Sequence, residues 1–166
     1  MTDCALRIDT RHGDDPDVHA LIAALQEEYV VLYGEPDLTP IDPGEFDPPR
    51  GAFLVGSRHG RAVASSAWRR IDADTAELKR LYVRPSARGL GFARRLVAAT
   101  EHDARRAGIR RLVLVTGTPQ QSAIALYRAL GYLPVPPFGF YAGSAQALFF
   151  GTDLTARTRN TEGQQH

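Results

Sequence analysis

Cysteine is nearly absent from this sequence. Of its 166 residues one is a cysteine, Cys4, so the chain can build neither an internal disulfide nor a metal site of several thiolates. It also lacks an apolar run of about 18 residues, and it does not begin with a basic segment followed by an apolar one. Secretion and membrane spanning are therefore not expected, and we predict a cytoplasmic protein.

Patterns typical of metal sites and of nucleophilic hydrolases are missing as well. The five histidines are His12, His19, His59, His102 and His166. They are scattered, with no second ligand at a spacing typical of metal sites, and no serine lies in a Gly-x-Ser-x-Gly motif. We therefore expect no bound metal and no nucleophilic hydrolase.

Charge of one sign is not in excess either. The formal net charge is +1, which favours neither nucleic acid nor a membrane surface as a partner. With 43% of its 166 residues hydrophobic, the chain is long enough for one well-buried core and too short for two. We predict a single domain over residues 1–154, a polar, disordered tail over residues 155–166, and a monomer or homodimer.

The most informative segment that is present runs from Glu77 to Leu96. Its first part predicts a strand that Pro85 closes, because proline cannot donate a ladder hydrogen bond. Gly89 and Gly91 allow a turn with positive φ, and a helix is predicted to begin near Phe92. Such a turn presents several backbone N–H groups at the positive end of a helix, so it suits an anion such as phosphate.

Two other interpretations of this loop have to be weighed. Glycines are ordinary turn residues, so a plain turn stays open, although Arg84 and Arg88 on either side favour an anion site. The spacing of Gly89, Gly91 and Arg94 does not give G-x-G-x-x-G, and no acidic residue ends a following strand. A dinucleotide site is therefore disfavoured.

The segment resembles motif A of the GNAT superfamily of acyl-CoA N-acyltransferases. That motif is Arg or Gln, two residues, Gly, one residue, then Gly or Ala, and Arg88, Gly91 and Ala93 fill it. The resemblance extends over roughly residues 5–153. It implies acetyl-CoA as co-substrate, with the loop holding the pyrophosphate of coenzyme A and the preceding strand pairing with the pantetheine arm. The cofactor-binding residues implied are Leu81, Tyr82, Val83, Arg88, Gly89, Leu90, Gly91, Phe92, Ala93 and Gln120.

A second matching motif lies in the helix from Gln120 to Gly131. In the family, the tyrosine that corresponds to Tyr127 lies beside the coenzyme sulfur and is assigned to protonate the departing thiolate. Many members carry Asn where this chain has Gln120, so the contact of that side chain with the pantetheine is less certain than coenzyme binding itself. The alternative for Tyr127 is an ordinary core tyrosine, because Ala123 and Leu130 share its helical face.

Three further residues are candidates for the acceptor side. Glu77 is a candidate general base, expected on the same strand face as Val83, where some GNAT enzymes place one. Its alternative is a solvated glutamate or one in a salt bridge with Lys79 or Arg80. Tyr29 and Tyr33, near the end of the first predicted helix, are candidate substrate contacts or core tyrosines. The acidic, proline-rich segment 34–51 is either a lid that favours a cationic amine or a solvated connector.

The remaining pattern predicts the other elements. In chain order they are a strand over Ala5–Ile8, a helix capped by Asp15 that runs from Pro16 to about Tyr33, a hairpin of Phe53–Val55 and Ala62–Trp68, a strand over Leu112–Val115 parallel to its predecessor, and a last strand over Ala147–Phe150. On the motif A helix we expect Glu101 to face outward. We expect Thr118–Gln121 to form a capping box with Pro119 as the first helical residue.

The fold class that follows is α/β. The resemblance implies a mixed, mostly antiparallel central sheet, splayed at the acyl-CoA strand pair and flanked by about four helices. It also implies an N-acetyltransferase that moves an acetyl group from acetyl-CoA to a primary amine, with a small molecule favoured by the segments that could close the cleft. Two alternatives stay open: a non-catalytic acyl-CoA sensor, and an enzyme that acetylates protein lysines or N-termini.

Overall fold

The computed structural model describes residues 5–40, 42 and 44–155. Cys4 and almost all of the predicted tail lie outside these residues. The described chain forms one seven-stranded sheet in the order β1-β2-β3-β4-β5-β7-β6. The strands are β1 (Arg7–Arg11), β2 (Gly51–Arg58), β3 (Arg61–Arg70), β4 (Thr75–Val83), β5 (Arg111–Gly117), β6 (Leu133–Pro134) and β7 (Ala147–Asp153).

Most neighbouring strands in the sheet are antiparallel. β4 and β5 are parallel, and the connection between them contains helix α2, as the sequence predicts. The helices are α1 (Pro16–Tyr33), α2 (Phe92–Arg106) and α3 (Gln121–Ala129), with a short 3₁₀-helix at Pro85–Ala87. The fold class is confirmed, with three α-helices and this single turn where about four helices are expected.

The sheet has an apolar cluster on each face. The larger cluster packs α2 against the sheet through side chains such as Trp68, Leu96 and Leu114, all nearly or fully buried. The smaller cluster packs α1 against the opposite face through residues such as Leu21 and Phe53. Burying each large apolar side chain contributes about 1.5–3 kcal/mol, so the two clusters fix both helices on the sheet.

Several element boundaries differ from the prediction. The first strand begins at Arg7 and runs to Arg11, because its backbone follows β2 further than its apolar residues indicate. Helix α3 begins at Gln121, with no side-chain hydrogen bond capping its N-terminus, so the predicted capping box is wrong. The Thr118 backbone N–H instead bonds to the carbonyl of Gln146, just before β7 begins, which holds Thr118 outside the helix.

Glu101 is also misplaced by the sequence pattern. It lies on α2, where an outward direction is expected, yet it is 7% exposed. The Tyr132 hydroxyl donates a hydrogen bond of 2.9 Å to its carboxylate. Residues after α3 therefore cover part of the α2 surface that lies outside its apolar stripe.

A β-bulge interrupts β4 at its centre. Lys79 pairs with Ala67 and Tyr82 with Ser65, so Arg80 and Leu81 together oppose a single residue of β3. The bulge reverses the alternation of side chains, so Glu77 and Val83 lie on opposite faces and the expected shared face is wrong. Arg80 has φ of 58°, a left-handed conformation that is uncommon outside glycine.

The predicted N-cap of α1 is confirmed and gives a direct test of the local sequence signal. The Asp15 carboxylate accepts a 2.8 Å hydrogen bond from the Asp17 backbone N–H, and Pro16 occupies the first turn. Asp15→Ala should lower the free energy of unfolding by about 1 kcal/mol, measured by urea denaturation. Asp15→Asn keeps the acceptor and should lose much less. Equal losses would show that the ion pair between Asp15 and Arg11 matters instead of the cap.

Candidate active site

The parallel pair β4 and β5 parts soon after it begins. The two strands pair through Thr75–Arg111, Ala76–Leu112 and Glu77–Val113, and β5 continues beside β7. A cavity of about 210 Å³ lies where they diverge. Its walls come from both strands, from the end of α1 and the segment after it, from α3 and from the segment before β7. The lining residues include Tyr29, Tyr33, Asp37, Glu77, Lys79, Arg80, Leu81, Gly117, Gln120, Tyr127 and Tyr141.

The glycine loop after β4 has the predicted geometry. Gly89 and Gly91 both have φ of 79°, and both are exposed. Helix α2 begins directly after Gly91, with no side-chain hydrogen bond at its N-terminus. The first N–H groups of the helix thus remain available to a ligand, and this donor set fits a diphosphate. Arg88 beside them donates to the Val83 carbonyl and to Glu28, which fixes the entry of the loop.

Tyr127 lies on the cavity wall at the inner face of α3. It is 4% exposed, and its ring contacts Tyr132 and Phe150 at centroid distances of 5.6 and 6.5 Å. Burial raises the pKa of Tyr127, so its phenol stays protonated at neutral pH. The residue is therefore a core tyrosine whose ring also lines the cavity.

Gln120 and Tyr33 meet across the cavity. The Gln120 amide donates a 2.7 Å hydrogen bond to the Tyr33 hydroxyl, and the rings of Tyr33 and Tyr29 pack edge to face at 5.9 Å. The Tyr33 hydroxyl lies over the end of β5, where a Cβ added to Gly117 would be 2.0 Å from it. A glycine is thus required at Gly117 for α1 to close this end of the cavity.

Asp37 is a functional candidate that the sequence does not single out. Its carboxylate accepts hydrogen bonds from the Thr39 backbone and side chain and from the Tyr141 hydroxyl. It also lies 3.6 Å from the Lys79 ammonium and 3.4 Å from the Arg80 guanidinium. Burial alone would raise the pKa of Asp37, but Lys79 and the hydrogen bonds outweigh it, and the pKa falls to about 2.

Glu77 lies within an ion-pair network rather than alone. Its carboxylate is 3.0 Å from Arg69, which faces it on β3 and is also 2.8 Å from Glu45. Glu77 is 5% exposed and lines both the cavity and a larger open groove of about 850 Å³. Glu77 is thus in a salt bridge, but its partner is Arg69 of β3 and not the predicted Lys79 or Arg80.

The structure brings together six of the predicted site residues around the cavity: Tyr29, Tyr33, Glu77, Leu81, Gln120 and Tyr127. The others lie along the end of β4 and the glycine loop. Tyr82 is buried in the α1 cluster and Phe92 in the α2 cluster, so their contribution to a ligand site is through the backbone. Leu90 is exposed in the loop, and Val83 and Ala93 are half-buried beside it.

Sequence reasoning missed Asp37, Lys79, Arg80 and Tyr141 as cavity residues. A partial signal exists for Asp37, because it lies in the acidic segment that is interpreted as a lid. None exists for Arg80, because its place depends on the bulge. Within residues 5–40, 42 and 44–155, no group of three or more His, Cys, Asp or Glu side chains could hold a metal ion. No helix among the described residues is long and apolar enough to cross a bilayer.

The divided parallel pair, the glycine loop before α2 and the buried tyrosine of α3 are features expected of an acyl-CoA N-acyltransferase. Residues 18–132 match the acetyltransferase (GNAT) family. The chain therefore belongs to that family and is an acetyltransferase.

Individual relatives agree with this assignment. The chain is 43% identical over 106 residues to an IAA acetyltransferase of Azospirillum brasilense, a match that covers 61% of this chain and 67% of the relative. A solved structure from Klebsiella pneumoniae, provisionally described as an acyl-CoA N-acyltransferase, is 31% identical with a TM-score of 0.78 and covers 92% of this chain and 99% of its own. An Elizabethkingia anophelis GNAT acetyltransferase with acetyl-CoA bound shares the fold, with a TM-score of 0.67, 14% identity and coverage of 91% and 99%.

The lowered pKa of Asp37 predicts a pH-dependent contribution to stability. The unfolded chain binds a proton at Asp37 below about pH 4, whereas the folded chain binds it only near pH 2. This contribution is therefore complete above about pH 4 and is lost as the pH falls toward 2. Urea denaturation of wild type and Asp37→Asn should show a stability difference that is constant above pH 4 and shrinks below it.

The exposed Asp14 supplies the matched control for this measurement. Asp14→Asn should leave the difference from wild type small at every pH. A difference for Asp37→Asn that does not change with pH would contradict the assigned ion pairs.

Proposed function

We propose that the protein transfers the acetyl group of acetyl-CoA to the primary amine of a small molecule. The observation that carries the proposal is the cavity at the divergence of β4 and β5, with Tyr127 on its wall and the glycine loop at the end of the same strand. Family membership supports the acetyltransferase activity, and a relative of the same fold has acetyl-CoA bound.

The cofactor is proposed to bind along the end of β4. The Gly89–Gly91 loop and the first N–H groups of α2 would hold its diphosphate, and the backbone of Leu81–Val83 would pair with its pantetheine arm. Gln120 would contact the arm near the cavity. When bound, acetyl-CoA supplies the thioester carbonyl that the amine attacks.

Two residues of the cavity would accept and donate the protons of this reaction. The acceptor ammonium must lose a proton before its nitrogen can form the new C–N bond, and we propose that Glu77 takes that proton directly or through water. As the C–S bond breaks, the Tyr127 phenol would donate its proton to the departing sulfur, and the second proton that the nitrogen must lose would restore the phenol. Tyr29 and Tyr33 would contact the acceptor from the end of α1. The products are the N-acetylated amine and the free thiol of coenzyme A.

The form of the cavity supports a small acceptor. Tyr141 bonds to Asp37 and to the Leu38 backbone N–H, which joins two distant segments over the cavity. A volume of about 210 Å³ corresponds to about seven water molecules in the liquid, which suits a compact molecule. The acceptor end of the site is therefore partly roofed where Tyr141 meets Asp37, while Glu77 also borders the open groove of about 850 Å³.

The proposed diphosphate site predicts that Gly91→Asp abolishes binding of coenzyme A. The substitution adds a negative charge at the N-terminus of α2, and titration calorimetry should show no heat of binding while circular dichroism shows a folded chain. Gly60→Asp is the matched control, because Gly60 has a similar φ of 76°, lies in the turn between β2 and β3 and has open space at its Cβ. Unchanged affinity in a folded Gly91→Asp variant would remove the site from this loop.

The proposed proton donor predicts a selective loss of turnover in Tyr127→Phe. The ring packing stays and the hydroxyl is removed, so kcat should fall by about 10²–10⁴-fold while affinity for acetyl-CoA changes little. Release of free thiol with a panel of amines measures the rate. Tyr132→Phe removes a nearby buried hydroxyl that bonds to Glu101, so it should lower stability and leave the rate near that of wild type. An unchanged rate in Tyr127→Phe would exclude the phenol as the donor.

A further inference from the structure

Arg80 is the most unusual charged residue of the cavity. Its residue exposure is 3%, and its side chain is 1% exposed. Nη1 is 3.4 Å from Asp37, a long contact for an ion pair. Within the described part of the chain, Nε and Nη2 are buried and have no hydrogen-bond partner. Leaving such donors unpaired is costly, and Arg80 is among the residues that line the cavity, so a ligand bound there could supply the missing partner.

The fold holds Arg80 at this place at a conformational cost. The residue sits in the bulge of β4 with φ of 58°, which is uncommon for an arginine. The Ser65 hydroxyl donates a 2.8 Å hydrogen bond to the Arg80 carbonyl from the neighbouring strand and fixes the bulge. The guanidinium is thus carried into the cavity wall by a defined backbone feature.

The charges around Arg80 restrict what the partner can be. Three buried or half-buried cations, Arg69, Lys79 and Arg80, share three carboxylates, Asp37, Glu45 and Glu77, through ion pairs of 2.8–3.6 Å. Glu35 also lines the cavity but is exposed. Because the buried set is balanced, a ligand that brings one uncompensated charge is disfavoured, while one that carries both signs is accommodated.

We infer that the acceptor is an amine that also carries a carboxylate, and that Arg80 binds the carboxylate through the donors that the protein leaves unpaired. The inference rests on the proposed function, since it assigns the amine of the same molecule to the side of the cavity near Glu77. A guanidinium presents a planar fork of N–H groups that matches a carboxylate, which makes Arg80 a specificity-determining residue.

The positions of Glu77 and Arg80 on β4 determine how far apart the amine and the carboxylate of the acceptor can lie. Glu77 and Arg80 are three residues apart on β4, about 10 Å of extended backbone before the bulge shortens it. The acceptor can therefore hold its amine and carboxylate several bonds apart. A suitable panel contains glycine, phenylalanine, β-alanine and 4-aminobutyrate, each paired with its carboxamide, which has nearly the same size and no negative charge.

The first measurement compares each amino carboxylate with its carboxamide in wild type. With acetyl-CoA present, kcat/KM for the best carboxylate should exceed that of its amide by about 10- to 150-fold, the value of a charge-assisted hydrogen bond. In Arg80→Gln this preference should disappear, because kcat/KM for the carboxylate falls to that of its amide measured in the same variant. Arg80→Lys should restore part of the preference, because it keeps the charge without the fork.

Arg105→Gln is the matched control. Arg105 is a half-buried arginine of α2 whose Nε bonds to the Leu154 carbonyl, and it lies outside the cavity. This variant should keep the carboxylate preference of wild type. Titration calorimetry of the same carboxylates without acetyl-CoA provides a readout that does not depend on turnover, and their binding should be lost in Arg80→Gln alone.

The outcomes separate this inference from the proposed function. Acetylation of neutral amines with no preference for carboxylates would overturn the inference and leave the function in place. Carboxylate binding that depends on Arg80 without acetyl transfer to any amine would keep the inference and overturn the function. If kcat falls equally with the carboxylate and with the amide in Arg80→Gln, then Arg80 acts through its contact with Asp37 or on the thioester carbonyl. That result would overturn the inference. If Arg80→Gln does not fold, the wild-type ratio of carboxylate to carboxamide decides alone.

Discussion

The parting of β4 from β5 is the constraint on which the rest of this structure depends. A parallel pair normally continues its ladder, since each unpaired backbone group buried away from water costs free energy. Here pairing reaches Glu77 and Val113, after which β5 follows β7 and β4 bulges at Arg80. The edges that are left unpaired form a slot within the sheet. The helices, the glycine loop and the segments after α1 and before β7 are arranged around that slot.

The two faces of the sheet have different roles around the slot. The α2 face is apolar and carries the stable core, including Trp68 and Leu96. The α1 face carries a smaller apolar cluster, and the network of Arg69, Glu77 and Asp37 lies along the slot. The chain thus separates the region that supplies stability from the region that supplies charge. The buried charges are tolerated because each carboxylate is shared with a nearby cation.

Much of the fold and part of the site follow from the sequence for identifiable reasons. Asp15 and Pro16 start α1, and Gly89 and Gly91 take the positive φ values that their lack of a side chain allows. These are local signals. The bulge at Arg80 is different, because it depends on a register shift between β3 and β4 that no residue pattern encodes. If the bulge is left out, the regular alternation of side chains in a strand places Glu77 and Val83 on the same face.

The sequence alone also could not show which distant residues the folded chain brings together. Asp37 and Tyr141 are 104 residues apart in the chain and join at the cavity. The pairing of Glu77 with Arg69 depends on the register of β3 against β4. The predicted capping box at Thr118 is wrong for a similar reason, since Gln146, just before β7, accepts the Thr118 backbone N–H. Long-range contacts of this kind outweigh local preference.

The hydrogen bond from Gln120 to Tyr33 makes the two halves of the site thermodynamically dependent on each other. A ligand that accepts the Gln120 N–H now bonded to Tyr33 would take it from the end of α1 and leave the Tyr33 hydroxyl without that donor. Binding at one half of the site would then change the free energy of binding at the other half, by the same amount in both directions.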